Sequence, residues 1–344
     1  MDRRTPVVLE NYGLVADVGG TNIRFGLVDL DAAVPAVQTS ASFSAAAYGG
    51  IADAARSYLR SLDVLKPPKS AAFAIAGPVN DGKIALTNSA WNSSIDELRA
   101  ALQVERLRLI NDYEAIALAV PLLGPAGCVE IGSAAPPSPR AHKETIAILG
   151  PGTGLGVAGL VRSGKTAAPL VTEGGHVSFA PVDEREIEIL KLLMRRYGRV
   201  SVERILSGPG LRVLFEVMAE IEGIGAENLT AEQITARAET DRNGFCGRVF
   251  GQFCAVLGSV AGDVALTMGA LGGVLIAGGI LPAHAAMFAA SGFRARFEAK
   301  GRFEDYMKKI TTRLVVDTRV GLLGAASLLA SEERPRPVVR STAR

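Results

Sequence analysis

The sequence has 344 residues, enough for about two domains, with 37 basic and 35 acidic side chains. This balance, without a long block of one sign, argues against nucleic acid or an anionic membrane surface as the main partner. The three cysteines, Cys128, Cys246 and Cys254, are too widely spaced for a disulfide framework or a CxxC metal knuckle, so we expect a reducing, cytoplasmic location.

The first half opens with two apolar runs around a glycine-rich turn. LVADV and IRFGLVD flank GGTN, a pattern typical of a strand, a tight turn and a second strand. Further buried strands are predicted at 71–77 and 107–110, with a helix from about 113 to 120. The proline-rich stretch 132–143 has no periodicity and is predicted to be a surface loop.

The opening pattern returns in the second half. ETIAIL and VAGLVR flank GPGTGLG, and two helices with apolar residues at helical spacing follow. The predicted apolar faces consist of Ile187, Leu190, Leu193, Met194 and Tyr197 in the first helix, and of Leu211, Leu214, Phe215 and Met218 in the second. A strand at 314–317, a helix at 320–330 and a disordered polar tail complete the prediction.

The apolar stretch 253–281 is long enough to span a membrane and has one charged residue, Asp263. Its many glycines and its LGGVLIAGGILP ending favour a buried helix followed by a buried strand, so we expect a soluble protein. Because each half opens with the same hairpin and then alternates strands with helices, the pattern favours two related α/β domains with a cleft between them.

Two nucleotide-binding patterns overlap near residue 159. The segment from Gly159 to Thr166 matches GxxxxGK[ST], and Gly154, Gly156 and Gly159 match GxGxxG. Both motifs need a helix directly after the glycines, which Pro169 and the glycine pair at 174–175 leave no room for. We therefore interpret SGK as a hairpin turn with a solvated Lys165, and reject both motifs.

Phosphate binding stays possible without a helix, because a glycine turn between strands can present consecutive N–H groups to an anion. The turns at 17–22 and 150–154 have the required glycines, and Thr21 and Thr153 add hydroxyl donors. Asp112 follows a predicted strand and precedes a helix, a position that suits either a helix N-cap or a general base in an α/β cleft.

Six segments occur in this order: LVADVGGTNIRFGLVD, LINDYEAIALAVPLL, ILGPGTGLGVAGLV, EGGHVSFAP, VERILSGPGL and GGVLIAGGILP. Over about 13–325 the chain resembles the glucokinase family of enterobacteria and their relatives. That resemblance implies an α/β, two-domain actin-like ATPase (ribonuclease H-like) fold with an inter-domain cleft. It also implies a small domain of 1–111 plus 318–344, and a large domain of 112–317.

The resemblance implies ATP-dependent phosphorylation of the 6-hydroxyl of D-glucose, with Asp112 as the general base. The implied sugar ligands are Asn111, Asp112, Glu173, His176, Glu203 and Asn88. The implied nucleotide site consists of Asp17, Gly19, Gly20, Thr21, Asn22, Gly152, Thr153, Gly154, Gly278 and Gly279. Asp17 is expected to organise Mg²⁺ through water, and the resemblance also implies a homodimer. Sugar binding is expected to close the domains and exclude water.

Three expectations delimit this hypothesis. No zinc is expected, because no cysteine lies between 129 and 245, where the related repressor–ORF–kinase family has a zinc motif. The nearest alternative substrate is another hexose, namely fructose, mannose or N-acetylglucosamine. A sugar-sensing regulator is less favoured, because it would need a helix-turn-helix ahead of Asp17, where we expect none.

Overall fold

The structure is a computed structural model that describes residues 10–64, 66–77, 79–80, 83–85, 92–132, 143–164, 166–225 and 227–333. It divides into two compact units, with elements numbered in chain order. Unit 1 consists of Met1–Leu123 and Thr318–Arg344, and unit 2 of Gly124–Asp317. Residues 133–142 of the loop predicted at 132–143, and residues 334–344 of the predicted polar tail, lie outside the described residues, whereas residues 331–333 of that tail belong to the last helix.

Unit 1 contains a five-stranded sheet in the order β3-β2-β1-β4-β8. Its strands are β1 (Tyr12–Val18), β2 (Asn22–Asp29), β3 (Val37–Ser44), β4 (Ser70–Ile75) and β8 (Arg106–Asn111). A second, small sheet contains β5 (Val79–Asn80), β6 (Lys83–Ala85) and β7 (Asn92–Ser94). Since β1, β4 and β8 are parallel, with Val18 beside Ile75 and Ile75 beside Asn111, their carboxyl ends lie side by side.

Helices cover both faces of the larger sheet, as the fully buried strand β4 requires. They are α1 (Ile51–Ser61), α2 (Ile95–Leu102), α3 (Asp112–Ala119) and α11 (Val320–Glu333). Side chains of β1 alternate between the two cores: Leu14 packs in the cluster that contains α1 and α2, and Val15 in the cluster that contains α11.

Unit 2 contains a six-stranded sheet in the order β12-β11-β10-β13-β14-β9. Its strands are β9 (Cys128–Glu130), β10 (Lys143–Pro151), β11 (Leu155–Ser163), β12 (Thr166–Thr172), β13 (Val274–Ile276) and β14 (Thr312–Val315). Its helices are α4 (Glu184–Tyr197), α5 (Gly208–Glu222), α6 (Ala231–Thr240), α7 (Phe245–Met268), α8 (Ala285–Ala289), α9 (Phe293–Glu298) and α10 (Glu304–Lys308).

The two large sheets share one plan. In each, three strands that follow one another in the chain, β1–β3 in unit 1 and β10–β12 in unit 2, form an antiparallel meander, and two further strands pair in parallel beyond the first strand of that meander. Unit 2 adds β9 at the far edge, antiparallel to β14. This confirms the prediction of two α/β units of related plan, each opening with a hairpin bent by glycines.

The long apolar stretch forms a core helix and a strand, as predicted. Helix α7 is the one described helix whose length and composition would allow it to cross a membrane, and 67% of its most apolar window is buried. It packs against α5, α6, α9 and β10. The buried strand β13 follows it.

Two sequence interpretations differ from the structure. Helix α4 forms as predicted and buries Leu193 of the predicted apolar face, but Ile187, Met194 and Tyr197 are exposed, because Glu186 and Ile189 complete the buried face. The Glu186 carboxylate can be buried because Gln252 and Arg296 donate hydrogen bonds to it at 2.8 and 2.7 Å. The chain leaves unit 1 after Leu123 rather than at 111, because α3 packs against α11.

Candidate active site

Asp112 lies at the carboxyl end of β8, as the first residue of α3. The N-cap position belongs to Asn111, whose side-chain oxygen accepts hydrogen bonds from the N–H groups of Tyr113 at 2.9 Å and Glu114 at 3.4 Å. The Asn111 amide also donates to the Gly77 carbonyl at 3.2 Å. Since Asn111 caps the helix, the Asp112 carboxylate is not needed for that role.

A second carboxylate, Asp17, lies near Asp112 at the end of β1. The Asp112 carboxyl has a pKa raised to about 6, first by burial and then by the negative charge of Asp17, while hydrogen bonds from Tyr113 and Asn111 oppose the shift. Burial also raises the pKa of Asp17, and the Arg24 guanidinium opposes that shift. The carboxyl ends of the parallel strands of unit 1 therefore carry two mutually repelling acids.

The first glycine turn joins β1 to β2 directly beside Asp17. The Gly19 N–H donates to the Asn22 carbonyl at 3.0 Å, which closes the turn, and Thr21 and Asn22 are exposed. A Cβ on Gly19 would meet the Asn22 carbonyl oxygen at 3.2 Å. The turn therefore presents the backbone of residues 20–22 at the carboxyl end of the sheet, next to an acid.

The start of α11 forms another wall around Asp17. A Cβ on Gly321 would lie 2.7 Å from both Cγ and Oδ2 of Asp17, so the first turn of the helix touches the carboxylate only because this residue is glycine. Arg24, opposite Asp17 in the β1–β2 pair, donates to the Thr318 carbonyl just before the helix and to Ser42 Oγ at 3.1 Å. Arg24 thus ties the sheet to the start of α11.

The second glycine turn joins β10 to β11 in unit 2. The Gly152 N–H donates to the Gly154 carbonyl at 2.8 Å, so the Gly152 amide is used within the turn. The Gly152 carbonyl accepts the Gly208 N–H at 2.8 Å, at the start of α5. Thr153 is exposed at the tip of the turn.

The glycine pair at 278–279 lies against this turn. A Cβ on Gly150 would be 1.9 Å from the Ala277 carbonyl oxygen, and a Cβ on Gly278 would be 2.3 Å from the Pro151 carbonyl oxygen. Gly278 also has φ +92°, which a residue with a side chain rarely adopts. These glycines allow two backbone segments to pack in direct contact, whereas Gly279 faces open space.

Glu173, His176 and Glu203 come together in unit 2. His176 Nε2 is 3.9 Å from Glu173 Oε2, and His176 Nδ1 is 3.7 Å from Glu203 Oε1. The side chains of Glu173 and His176 are more than half exposed, and that of Glu203 is 32% exposed. They form a polar, solvent-accessible group with two carboxylates, which suits a ligand rich in hydroxyl groups.

The structure therefore brings the predicted residues together in two sets. Unit 1 holds Asp17, the 19–22 turn, Asn111 and Asp112, and unit 2 holds the 152–154 turn, the glycines at 278–279 and the Glu173–His176–Glu203 group. Asn88 and Lys165 lie outside the described residues. Strands β11 and β12 pair as a hairpin, with Ser163 opposite Thr166 at the start of β12, so a strand rather than a helix follows the glycines.

Sequence reasoning missed Arg24, Gly321 and the Ser207–Gly208 contact with the second turn. Arg24 could have been recognised from the sequence, because it is a single arginine inside an apolar predicted strand. Neither Gly321 nor Gly208 could be assigned from a single sequence, because their partners lie far away in the chain.

The sheet plan shared by both units, with glycine turns after β1 and β10, places the chain in the class of two-domain, actin-like α/β kinases. It resembles the crystal structure of a glucokinase from an Antarctic psychrotroph, with a TM-score of 0.80 and 38% identity, over 93% of this chain and 99% of that one. It resembles in fold a ROK family glucokinase from Streptomyces griseus, solved in complex with glucose and AMPPNP, with a TM-score of 0.61 at 16% identity.

The sequence comparisons identify the family within this class. The family model described as Glucokinase matches residues 14–332. A glucokinase from Caulobacter sp. (strain K31) is 47% identical over 322 residues, which are 94% of this chain and 96% of that protein. The chain belongs to the glucokinase family.

Proposed function

We propose that this protein transfers the γ-phosphoryl group of ATP to the 6-hydroxyl of glucose, giving glucose 6-phosphate and ADP. The observation that carries the proposal, beside membership of the family, is the half-buried pair of Asp17 and Asp112 beside a glycine turn in unit 1. Phosphoryl transfer needs a base, here a carboxylate, to accept the proton of the attacking hydroxyl, and a second group to organise the metal.

Asp112 is the proposed general base. Its pKa of about 6 keeps the carboxyl ionised at neutral pH, yet makes it a better proton acceptor than an ordinary aspartate with a pKa of 3.8. Burial and the Asp17 charge are the physical causes of that tuning. Asn111 caps α3 and so fixes the position of Asp112, the first residue of that helix.

Asp17 is the proposed metal-organising residue. Two nearby carboxylates attract a divalent cation, and Mg²⁺ is ordinarily held by one or two carboxylates together with water and substrate phosphates. The ion would neutralise charge on the transferred phosphoryl group.

The two glycine turns, at 19–22 and 152–154, are the proposed phosphate-binding segments, and Gly278 with Gly279 the proposed adenosine contact. Each turn presents backbone rather than cationic side chains, which suits a close approach to an anion. The open space at Gly279 fits a nucleoside lying against the backbone.

Glu173, His176 and Glu203 are the proposed sugar ligands in unit 2, and Asn111 and Asp112 those in unit 1. Carboxylates accept hydrogen bonds from sugar hydroxyls, and each charge-assisted bond contributes about 1.5–3 kcal/mol. A coupled ADP-release assay with glucose, fructose, mannose and N-acetylglucosamine tests the substrate. A kcat/KM for glucose at least tenfold above that for the other sugars supports the proposal. A higher kcat/KM for another hexose would identify that hexose as the substrate instead.

A homodimer in the cytoplasm is proposed as the working form. The exposed stripe on α4 contains Ile187 and Met194, one heptad apart, with the exposed Glu184 in the first turn of the helix and the exposed Arg195 in the last. Two copies of α4 packed antiparallel would bury that stripe and place Glu184 of each copy near Arg195 of the other. Met194→Asp should convert a dimer to a monomer in sedimentation equilibrium, and an unchanged mass would refute this interface.

A further inference from the structure

Leu155, the first residue of β11, lies directly after the second glycine turn and contacts two segments that carry proposed sugar ligands. Its backbone N–H donates to Glu203 Oε2 at 2.9 Å. Its carbonyl oxygen lies against Gly175, where a Cβ would be only 2.0 Å away. Both backbone polar groups of Leu155 therefore contact residues from the sugar-binding segments.

Gly154 explains how Glu203 reaches the turn. A Cβ on Gly154 would lie 2.5 Å from Glu203 Oε2, so the carboxylate occupies the space that a side chain at 154 would take. The other carboxylate oxygen, Oε1, faces His176 Nδ1 at 3.7 Å. Because an ionised carboxylate offers about four acceptor sites, Glu203 can bind Leu155 and a sugar hydroxyl at once.

The chain after Glu203 holds the other end of the same turn. The Glu203 carbonyl accepts the Ser207 hydroxyl at 2.9 Å, and the Gly208 N–H donates to the Gly152 carbonyl at 2.8 Å. Ser207 Oγ also accepts the Gly210 N–H at 3.0 Å and so caps α5. A single short segment therefore fixes both ends of the proposed phosphate-binding turn, and the Glu203 side chain is the part of it that can also reach a sugar.

We propose that Glu203 is a positioning residue that couples the two substrates: one carboxylate oxygen sets the phosphate-binding turn through the Leu155 N–H, while the other binds the sugar. This inference rests on the proposed function and deepens it. A sugar hydroxyl bound to Oε1 restricts the Glu203 side chain, and hence the turn that it contacts. The nucleotide then meets a turn that is already ordered, so each substrate strengthens binding of the other by the same factor.

The test measures the Kd of AMPPNP by calorimetry with and without saturating glucose, in the presence of Mg²⁺. For the wild type we expect the ratio of the two Kd values to lie between about 5 and 150, the usual range of such coupling. Gly154→Ala should displace the carboxylate from Leu155 and bring the ratio close to one. Gly251→Ala, in α7 and outside the proposed binding segments, is the control, since a Cβ there also meets nothing within 4 Å.

A Gly251→Ala ratio within twofold of wild type, with a Gly154→Ala ratio near one, supports the coupling. A wild-type ratio of one, or equal ratios in both variants, overturns it. Should Gly154→Ala fail to fold, Glu203→Asp replaces it, because the shorter acid keeps the charge but cannot span both contacts. Glu203→Gln distinguishes the proposed sugar site from the proposed coupling. An unchanged Kd for glucose in this variant would show that Glu203 is not a sugar ligand, whatever the ratio of the two AMPPNP Kd values.

Discussion

Asp112→Asn removes the proposed base while keeping nearly the same side-chain shape. The Asn oxygen can still accept the Tyr113 N–H, which Asp112 Oδ1 accepts at 2.9 Å, so the start of α3 should be retained. The amide cannot take the proton of the attacking hydroxyl. Since general-base catalysis contributes about 10²–10⁴-fold, we expect kcat to fall at least 100-fold.

The same substitution should stabilise the fold. The Asp112 carboxyl has a pKa of about 6 when folded against an ordinary value of 3.8, so the folded protein binds this proton more tightly than the unfolded chain. Ionisation above pH 6 therefore destabilises the wild type, by at most about 3 kcal/mol. The variant should melt a few degrees higher at neutral pH, and this gain should disappear as the pH falls from 6 towards 3.8.

The assay is kcat/KM for glucose as a function of pH at saturating MgATP, with melting curves at the same pH values. The wild-type rate should fall about tenfold per pH unit below its acid limb near pH 6, because only the ionised base is active. Glu114→Gln, a carboxylate on the same helical turn, is the control and should keep kcat within about threefold. A variant with more than a tenth of wild-type kcat, or a wild-type profile flat to about pH 4.5, would refute the assignment.

Three glycine substitutions test the proposed nucleotide site. Gly321→Ala places a Cβ 2.7 Å from the Asp17 carboxylate and should raise the KM for MgATP about tenfold with little effect on the KM for glucose; equal changes in both would contradict this role for α11. Gly278→Ala combines a φ of +92° with a contact at 2.3 Å to the Pro151 carbonyl, so we expect a loss of about 1–3 kcal/mol in thermal unfolding. Gly279→Ala adds a methyl group in open space and should leave the melting temperature unchanged while raising the KM for ATP; an unchanged KM would remove the adenosine from this position.

Local patterns predicted the sheet-forming segments well, because buried parallel strands and glycine hairpins leave clear signatures. The strands at 71–77 and 107–110 correspond to β4 and β8, and the P-loop match was rejected correctly from the residues that follow it. Strand β3 was missed because its residues are alternately half-buried and exposed at the sheet edge, without a strong apolar signal.

The face of α4 could not be predicted from periodicity alone. The helix has an apolar stripe, but the buried face includes Glu186, whose partners Gln252 and Arg296 are supplied by distant segments. An apolar stripe predicts the buried face of a helix only if no other face can be buried. In α4 the other face can be buried, because the Glu186 carboxylate accepts hydrogen bonds there. The same limit applies to Gly321, whose contact with Asp17 depends on the fold.

The two units use the same local arrangement, a hairpin turn with a closely packed glycine, for two different proposed roles. In each, a hairpin turn at the carboxyl end of the sheet is approached closely by a segment that arrives later in the chain: the start of α11 at Gly321 in unit 1, and the backbone at Gly278 in unit 2. The acid at each turn comes from a different part of the chain. Asp17 belongs to the strand that precedes the first turn, whereas Glu203 belongs to a later segment and accepts the Leu155 N–H just after the second turn. One plan thus supports the proposed metal-organising carboxylate in unit 1 and the proposed sugar-facing carboxylate in unit 2, and Gly321 and Gly278 are the positions where a side chain would prevent the close approach.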